Sequence, residues 1–299
     1  MRVLVTGSTG LIGSALRTRL EQGGHSVARL VRSREATGED NFFWDPLRGE
    51  LDEVAVAGVD AVVHLAGETI AGRWTDDKKR RIRESRIAST RVLSEAIAGA
   101  EQRPAVFVCA SAVGVYGDRG DAELTEESPT GDGFLAGVVV EWEAATEPAA
   151  RAGVRVVNVR SGEVLSREGG PLAALLTPFR LGLGGPLGGG RQYTSWISID
   201  DEVAAIEHTL TTDGLQGPVN LVAPNPVTNR EFAKTLGRVL RRPAILPTPL
   251  APLKLVYGSE FVEEVLLFSI RALPGKLEAS GFRFEHPEIE PALIALLRC

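Results

Sequence analysis

Residues 2–13 read RVLVTGSTGLIG, a short apolar run, a glycine-punctuated turn and the start of an amphipathic pattern. In Thr6–Gly7–Ser8–Thr9–Gly10–Leu11–Ile12–Gly13 the glycines Gly7, Gly10 and Gly13 have the spacing GxxGxxG. Such glycines allow a tight turn, close approach of backbone to a pyrophosphate, and close packing of helix on strand. A helix opening there offers free N–H groups and a partial positive charge to phosphate. A glycine triplet by itself also fits a mere structural turn. Its place here, directly between a strand and a helix at the head of the chain, predicts a dinucleotide site.

Working outward, RVLVT, SVARLV, DAVVHLA, AVFVCAS and VRVVNVRS are continuous apolar runs of the kind buried on both faces. Between them LIGSALRTRLEQ, DDKKRRIRESRIASTRVLSEAIAG and VVVEWEAATEPAARA carry helical spacing. This alternation predicts an α/β fold, a Rossmann-type doubly wound parallel sheet with right-handed crossovers. After Gly162 the pattern loosens into a glycine-rich loop, a strand SWISI and a helix from Asp200 or Asp201, then a helix opened by a Thr228–Glu231 capping box. The expected division is 1–165 as the nucleotide-binding domain and 166–299 as a smaller, mixed substrate region interleaved with it in space.

Composition narrows the function classes. With 33 Lys plus Arg against 39 Asp plus Glu the net charge is −6, which argues against a nucleic-acid binder. No apolar run is long enough to span a membrane, and the N-terminus lacks the layout of a signal peptide. Two cysteines, Cys109 in an apolar run and Cys299 at the end, exclude a disulfide framework and fit a reducing cytoplasm. The four histidines His25, His64, His208 and His286 have no ligand spacing among themselves or with the cysteines, so no metal site is expected. The partner expected is a small-molecule substrate, and the chain is expected as a monomer or homodimer.

The end of SVARLV selects the nucleotide. An acid there would accept bonds from a ribose 2′-hydroxyl; this chain has Arg32–Ser33–Arg34, with Glu35 only beyond them. Arginine at this place suits the 2′-phosphate of NADP(H), although solvated surface arginines would read the same way. On the helix from Asp76, Ile82, Ser89, Leu93, Ala96 and Ile97 share one face and Arg86 falls in the middle of that stripe. An arginine on an apolar stripe needs an anionic or hydrogen-bonding partner, which a cofactor, a carboxylate or backbone carbonyls could supply.

Together, TGSTGLIG, DAVVHLAGETI, ASAVGVYGD, VRSGEVLS, GLGGPLGGG and SWISIDD resemble the extended short-chain dehydrogenase/reductases. More narrowly, they resemble an atypical epimerase-like branch that carries a small C-terminal domain of unassigned function. The resemblance covers nearly the whole chain and implies NADP(H). It places Thr6, Gly7, Gly10, Leu11, Ile12 and Gly13 at the phosphates, Arg32 at the 2′-phosphate, and Leu65, Ala66 and Gly67 along the strand edge. It also makes Arg86 a cofactor contact and sets Val164 near the nicotinamide end.

The departures concern proton chemistry. Ordinary members of that superfamily use a Ser or Thr, a Tyr and a Lys four residues later; the lysine and the oxidised nicotinamide lower the tyrosine pKa. Here Ala112 falls in the serine slot, with Ser111 one residue early, and in FLAGVVVEWEAA (residues 134–145) Leu135 and Val139 fall in the tyrosine and lysine slots. Tyr116, Glu68 and Ser111 are the replacement candidates. His64 reads as a packed histidine more readily than as a base. Gly185, Gln192 and Trp196 are candidates for the substrate cleft, although a tryptophan in SWISI suits a core equally. Two functions follow: an NADP(H)-dependent oxidoreductase or epimerase acting on a small hydroxyl or carbonyl compound, or a non-catalytic NADP(H)-binding sensor or scaffold.

Overall fold

The computed structural model describes residues 1–298, and of Arg298 only its place in the last helix; the terminal Cys299 lies outside the described residues. The strands are β1 (Arg2–Thr6), β2 (Ser26–Val31), β3 (Asn41–Asp45), β4 (Glu50–Leu51), β5 (Ala61–His64), β6 (Val106–Ala112), β7 (Glu123–Leu124), β8 (Arg155–Ser161), β9 (Glu163–Leu165), β10 (Tyr193–Thr194), β11 (Trp196–Ser198), β12 (Gly217–Leu221), β13 (Val227–Thr228) and β14 (Arg271–Ala272). The helices are α1 (Leu11–Gln22), α2 (Asp76–Gly99), α3 (Phe134–Ala144), α4 (Glu147–Arg151), α5 (Gly170–Arg180), α6 (Ile199–Thr211), α7 (Asn229–Leu240), α8 (Leu250–Tyr257), α9 (Ser259–Phe261), α10 (Gly275–Ala279) and α11 (Ile289–Arg298).

Eight strands form the main sheet in the order β12-β8-β6-β5-β1-β2-β3-β4, parallel except for the β3–β4 edge pair. The order reverses between β1 and β5, so a crevice opens there at the carboxyl ends of the strands, where open α/β sheets bind ligands. This is the doubly wound Rossmann-type sheet that the alternation of apolar runs and helical patterns predicts. The chain past residue 165 returns to it, since β12 pairs with β8 along Gly217–Leu221. Small two-stranded pairs, β9 with β11, β10 with β13 and β7 with β14, build the mixed part of the molecule.

Alternate side chains of one strand feed opposite cores. Val3 and Val5 pack with Leu16, Leu20 and Ile206 on the α1–α6 side, while Leu4 packs with Leu93, Ile97 and Trp142 on the α2–α3 side. Burial on both faces is why these strands read as unbroken apolar runs. A third core joins α5, α7 and α11 around Trp196, Phe232 and Leu293.

Helices α1 and α2 span the expected residues. The third helical pattern differs: α3 starts at Phe134 and breaks before α4 at Glu147. Helix α6 starts one residue before the expected acids, because the Ser198 side chain takes the cap and accepts from the Asp201 N–H at 3.0 Å. The Thr228–Glu231 capping box is present as expected.

Candidate nucleotide site and the cleft beside it

The opening stretch folds as strand β1, turn and helix α1. Gly7 has φ +66°, and a Cβ there would stand 2.7 Å from the Leu65 carbonyl carbon, so the turn after β1 presses directly on the end of β5. A Cβ on Gly13 would lie 2.2 Å from the Gly7 carbonyl oxygen, which lets α1 close onto the turn. The cap of α1 is Gly10, and no side chain accepts from the first-turn amides. Those amides and the positive helix end therefore face the crevice, a cradle that fits a pyrophosphate.

Beneath the loop lies a fully buried polar chain. Thr6 Oγ1 accepts from the Leu65 and Ala66 amides, both at 3.2 Å, and lies 2.6 Å from His64 Nδ1. His64 Nε2 lies 3.0 Å from Ser89 Oγ, which donates to the Ser85 carbonyl at 2.6 Å. The pattern sets a neutral imidazole with its proton on Nε2, donating to Ser89 Oγ. Burial pulls its pKa down to about 3. His64 is thus the packed, hydrogen-bonded histidine, and the Thr6 side chain serves the turn from below.

At the end of β2 the two arginines part company. Arg34 is held by Glu50 at 2.9 Å and lies 3.8 Å over the Phe43 ring. Exposed Arg32 makes no hydrogen bond or ion pair among the described residues, which leaves it alone as the free cation beside the crevice.

Arg86 leans over the other wall. Its NH1 donates to the carbonyls of Glu68 (2.9 Å) and Ile82 (3.1 Å), and its guanidinium carbon sits 5.1 Å over the Trp142 ring. A Cβ on Gly67 would be 3.5 Å from that guanidinium, so Gly67 and Arg86 form one surface. Burial lowers the Arg86 pKa to about 10 against the raising effect of Glu68. Among the described residues no carboxylate bonds to it; carbonyls hold one of its nitrogens. On the far side, Leu11 packs on Gly169 and Gly170, and a Cβ on Gly170 would lie 3.3 Å from the Val164 carbonyl oxygen, so the start of α1 and strand β9 share a wall.

The replacement proton donors fare differently from expectation. Tyr116 is fully buried in the core, its hydroxyl donating to Asn220 at 2.8 Å and accepting from Arg160 at 3.1 Å. Burial raises its pKa against the pull of Arg160. It does not face the cleft. Glu68 pairs with Lys78 at 2.7 Å, and that hydrogen bond lowers the pKa of its carboxyl. Ser111 donates to Glu143 at 2.5 Å, and Glu143 is doubly bound by Arg160. In the fold, each of these three side chains is held by hydrogen bonds or an ion pair to other residues.

The structure gives each of the expected substrate-cleft residues a packing or hydrogen-bonding partner. Trp196 is a core side chain with 0% exposure, its indole N–H satisfied by the Asn225 carbonyl. Gly185 is buried because a Cβ there would stand 1.8 Å from the Leu246 carbonyl oxygen; the glycine permits a close backbone crossing. Gln192 ties its loop down by donating to the Leu266 carbonyl at 3.1 Å. The glycine-rich segment is tied to residues 246–248, with Thr248 bonded to the carbonyls of Pro186 and Gly185.

One carboxyl escaped the sequence reading. Half-buried Glu163 opens β9, with Gly162 between it and the carboxyl end of β8, and precedes Val164. Its side chain has no hydrogen bond or ion pair among the described residues, and burial raises its pKa to about 7. The signal available was an acid inside the otherwise apolar strand EVL.

These features define a nucleotide-binding Rossmann protein of the extended short-chain dehydrogenase/reductase type. Two family models match: NAD dependent epimerase/dehydratase family over residues 3–222, and a domain of unknown function, DUF1731, over residues 248–296. The chain belongs to the NAD-dependent epimerase/dehydratase family. An epimerase family protein of Mycobacterium bovis is 47% identical over 292 residues, covering 97% of this chain and 96% of that one. The human epimerase family protein SDR39U1 is 39% identical, with 98% of each chain covered. The crystal structure of the human protein (isoform 2), described as with NADPH, superposes with a TM-score of 0.91 at 38% identity, covering 100% of this chain and 99% of that one.

Proposed function

We propose that the protein is an NADP(H)-dependent oxidoreductase that reduces a small carbonyl compound or oxidises the matching alcohol. The observation that carries the cofactor assignment is the uncapped, glycine-closed N-terminus of α1 facing the crevice with Arg32 as its free cation. The human relative crystallised with NADPH supports the same nucleotide. Bound there, NADP(H) would supply or accept a hydride. Arg86, Gly67 and Leu65 form one wall against it, Val164 and Leu11 the other.

Proton transfer falls to Glu163. Its side chain has no hydrogen bond or ion pair among the described residues, and a carboxyl whose pKa burial raises to about 7 could both give and take a proton. Leu135 and Val139 make the opposite side apolar, which limits water at the reacting centre.

A second reading is a non-catalytic NADP(H) sensor, favoured by the commitment of Tyr116, Glu68 and Ser111 to packing. Turnover separates the two. On a panel of aldehydes, ketones and dicarbonyls followed at the NADPH absorbance, wild type should show activity. Glu163→Gln should lose about a hundredfold of it, the lower end of general acid–base gains, with NADPH affinity unchanged. Activity untouched in Glu163→Gln removes Glu163 from the chemistry. No oxidation of NADPH with any compound, despite tight binding, selects the sensor.

A further inference from the structure

The C-terminal region matches a family model without an assigned function, yet its path is specific. Residues 255–273 touch the loop after β5, the stretch between β6 and α3, and Tyr193. Arg73, in the loop after β5, donates to the Leu255 carbonyl at 3.1 Å. Trp74 meets Phe261 and Phe134 edge-on at 5.6 and 5.1 Å. Further on, Ser269 bonds Asp118, Gly120 and Tyr193, and β14 pairs with β7.

Between these anchors the Glu264 carboxylate sits on the start of α3, accepting from the Phe134 amide at 2.8 Å and the Leu135 amide at 2.9 Å. The preceding Gly133 has φ +113°, and a Cβ on it would stand 3.0 Å from that carboxylate. Leu135 occupies the slot where relatives with a Tyr-x-x-x-Lys pair carry the tyrosine, so this contact fixes the wall of the reaction cleft. Glu264 lies in a π-helical turn, Val262–Leu267, an arrangement concentrated at functional sites.

The two ends of the segment are held unequally. Ser269 and Ala272 are buried, Arg271–Ala272 is strand-paired, and Ala272 donates to Ser195 Oγ at 2.8 Å. Upstream, α8 contains no buried residue, and Leu255 and Val256 are 76% and 61% exposed. Between the two ends, Phe261 and Val262 are buried, Glu260 pairs with Lys79 at 2.6 Å and Gln192 donates to the Leu266 carbonyl, so it is the α8 end that is most lightly seated and can move against the fixed end.

We propose that the C-terminal region is the movable wall of the cofactor cleft, and that Glu264 is the positioning residue that latches it to the first turn of α3. The latch must release for NADP(H) to enter and leave. This rests on the assignment of NADP(H) to the cleft. Glu264→Gln keeps the shape of the side chain but removes the charge and one of two acceptors.

Stopped-flow binding of NADPH to the full chain, read by cofactor fluorescence, tests it. In Glu264→Gln both association and dissociation should quicken by about tenfold, the scale of one charge-assisted hydrogen bond, with the dissociation constant little moved. Unchanged rates, or faster dissociation alone, would make Glu264 an ordinary cap or a binding residue and overturn the proposal. If the variant does not fold, hydrogen exchange on wild type decides. Saturating NADPH should slow the Phe134 and Leu135 amides and those of residues 259–267 together; no change at these amides overturns the latch. Wild type that fails to bind NADPH at all would instead sink the cofactor assignment.

Discussion

Glu202 shows how a single carboxyl can set the pH response of this fold. It is fully buried on α6; Ser161 donates to its Oε1 at 2.6 Å, and its Oε2 has no partner. Burial raises its pKa from 4.5 to about 7 against the opposing bond from Ser161. The folded protein therefore holds a proton that the unfolded chain releases. The native state is best placed below pH 4.5 with respect to this group, and stability is lost as pH rises from there through about 7, by about 3 kcal/mol. Glu202→Gln should match wild type in denaturant melts near pH 5 and exceed it near pH 8. A difference that does not change with pH would show that Glu202 is ionised in the folded state. Residues of this kind were poorly legible in the sequence. Tyr116 read as a cleft residue because its partners, Asn220 and Arg160, lie far along the chain. Glu68 read as a free acid because nothing in HLAGETI announces Lys78. The glycines were legible, since a backbone that must touch another backbone admits no other side chain.

At the scale of elements, periodicity recovered what depends on local pattern and missed what depends on remote partners. Helices α1 and α2 have amphipathic stripes and clear ends, and their bounds could be read directly. The start of α3 could not, because a run of valines after Gly137 weakens the helical signal and the helix end is secured by Glu264, 130 residues away. Strands β3 and β12 went unread although they complete the sheet on either side. In the glycine-rich loop before β10 the glycines serve close packing. A Cβ on Gly184 would meet the Phe179 ring at 2.2 Å and one on Gly185 the Leu246 carbonyl oxygen at 1.8 Å. Gly185→Ala should accordingly destabilise the protein by about 1–3 kcal/mol through overpacking, seen as a lower denaturant midpoint. An unchanged midpoint would mean that the loop and residues 246–248 are not held together in solution.

For the whole molecule, the order of the sheet places three separate stretches of sequence around one crevice: the turn after β1, the end of β5 and the start of β9. Residues past 165 add β12 to the same sheet and then return as the wall over its carboxyl edge. Among the described residues no helix is long and apolar enough to cross a membrane. The central claim is that this crevice holds NADP(H), with Arg32 as the group that recognises the 2′-phosphate. Calorimetric titration of wild type and Arg32→Glu with NADPH and NADH tests it most directly. Wild type should bind NADPH more tightly by at least tenfold, on the scale of one charge-assisted phosphate contact, and Arg32→Glu should abolish or reverse that preference. Equal affinities in wild type, or a preference that survives Arg32→Glu, would contradict the assignment.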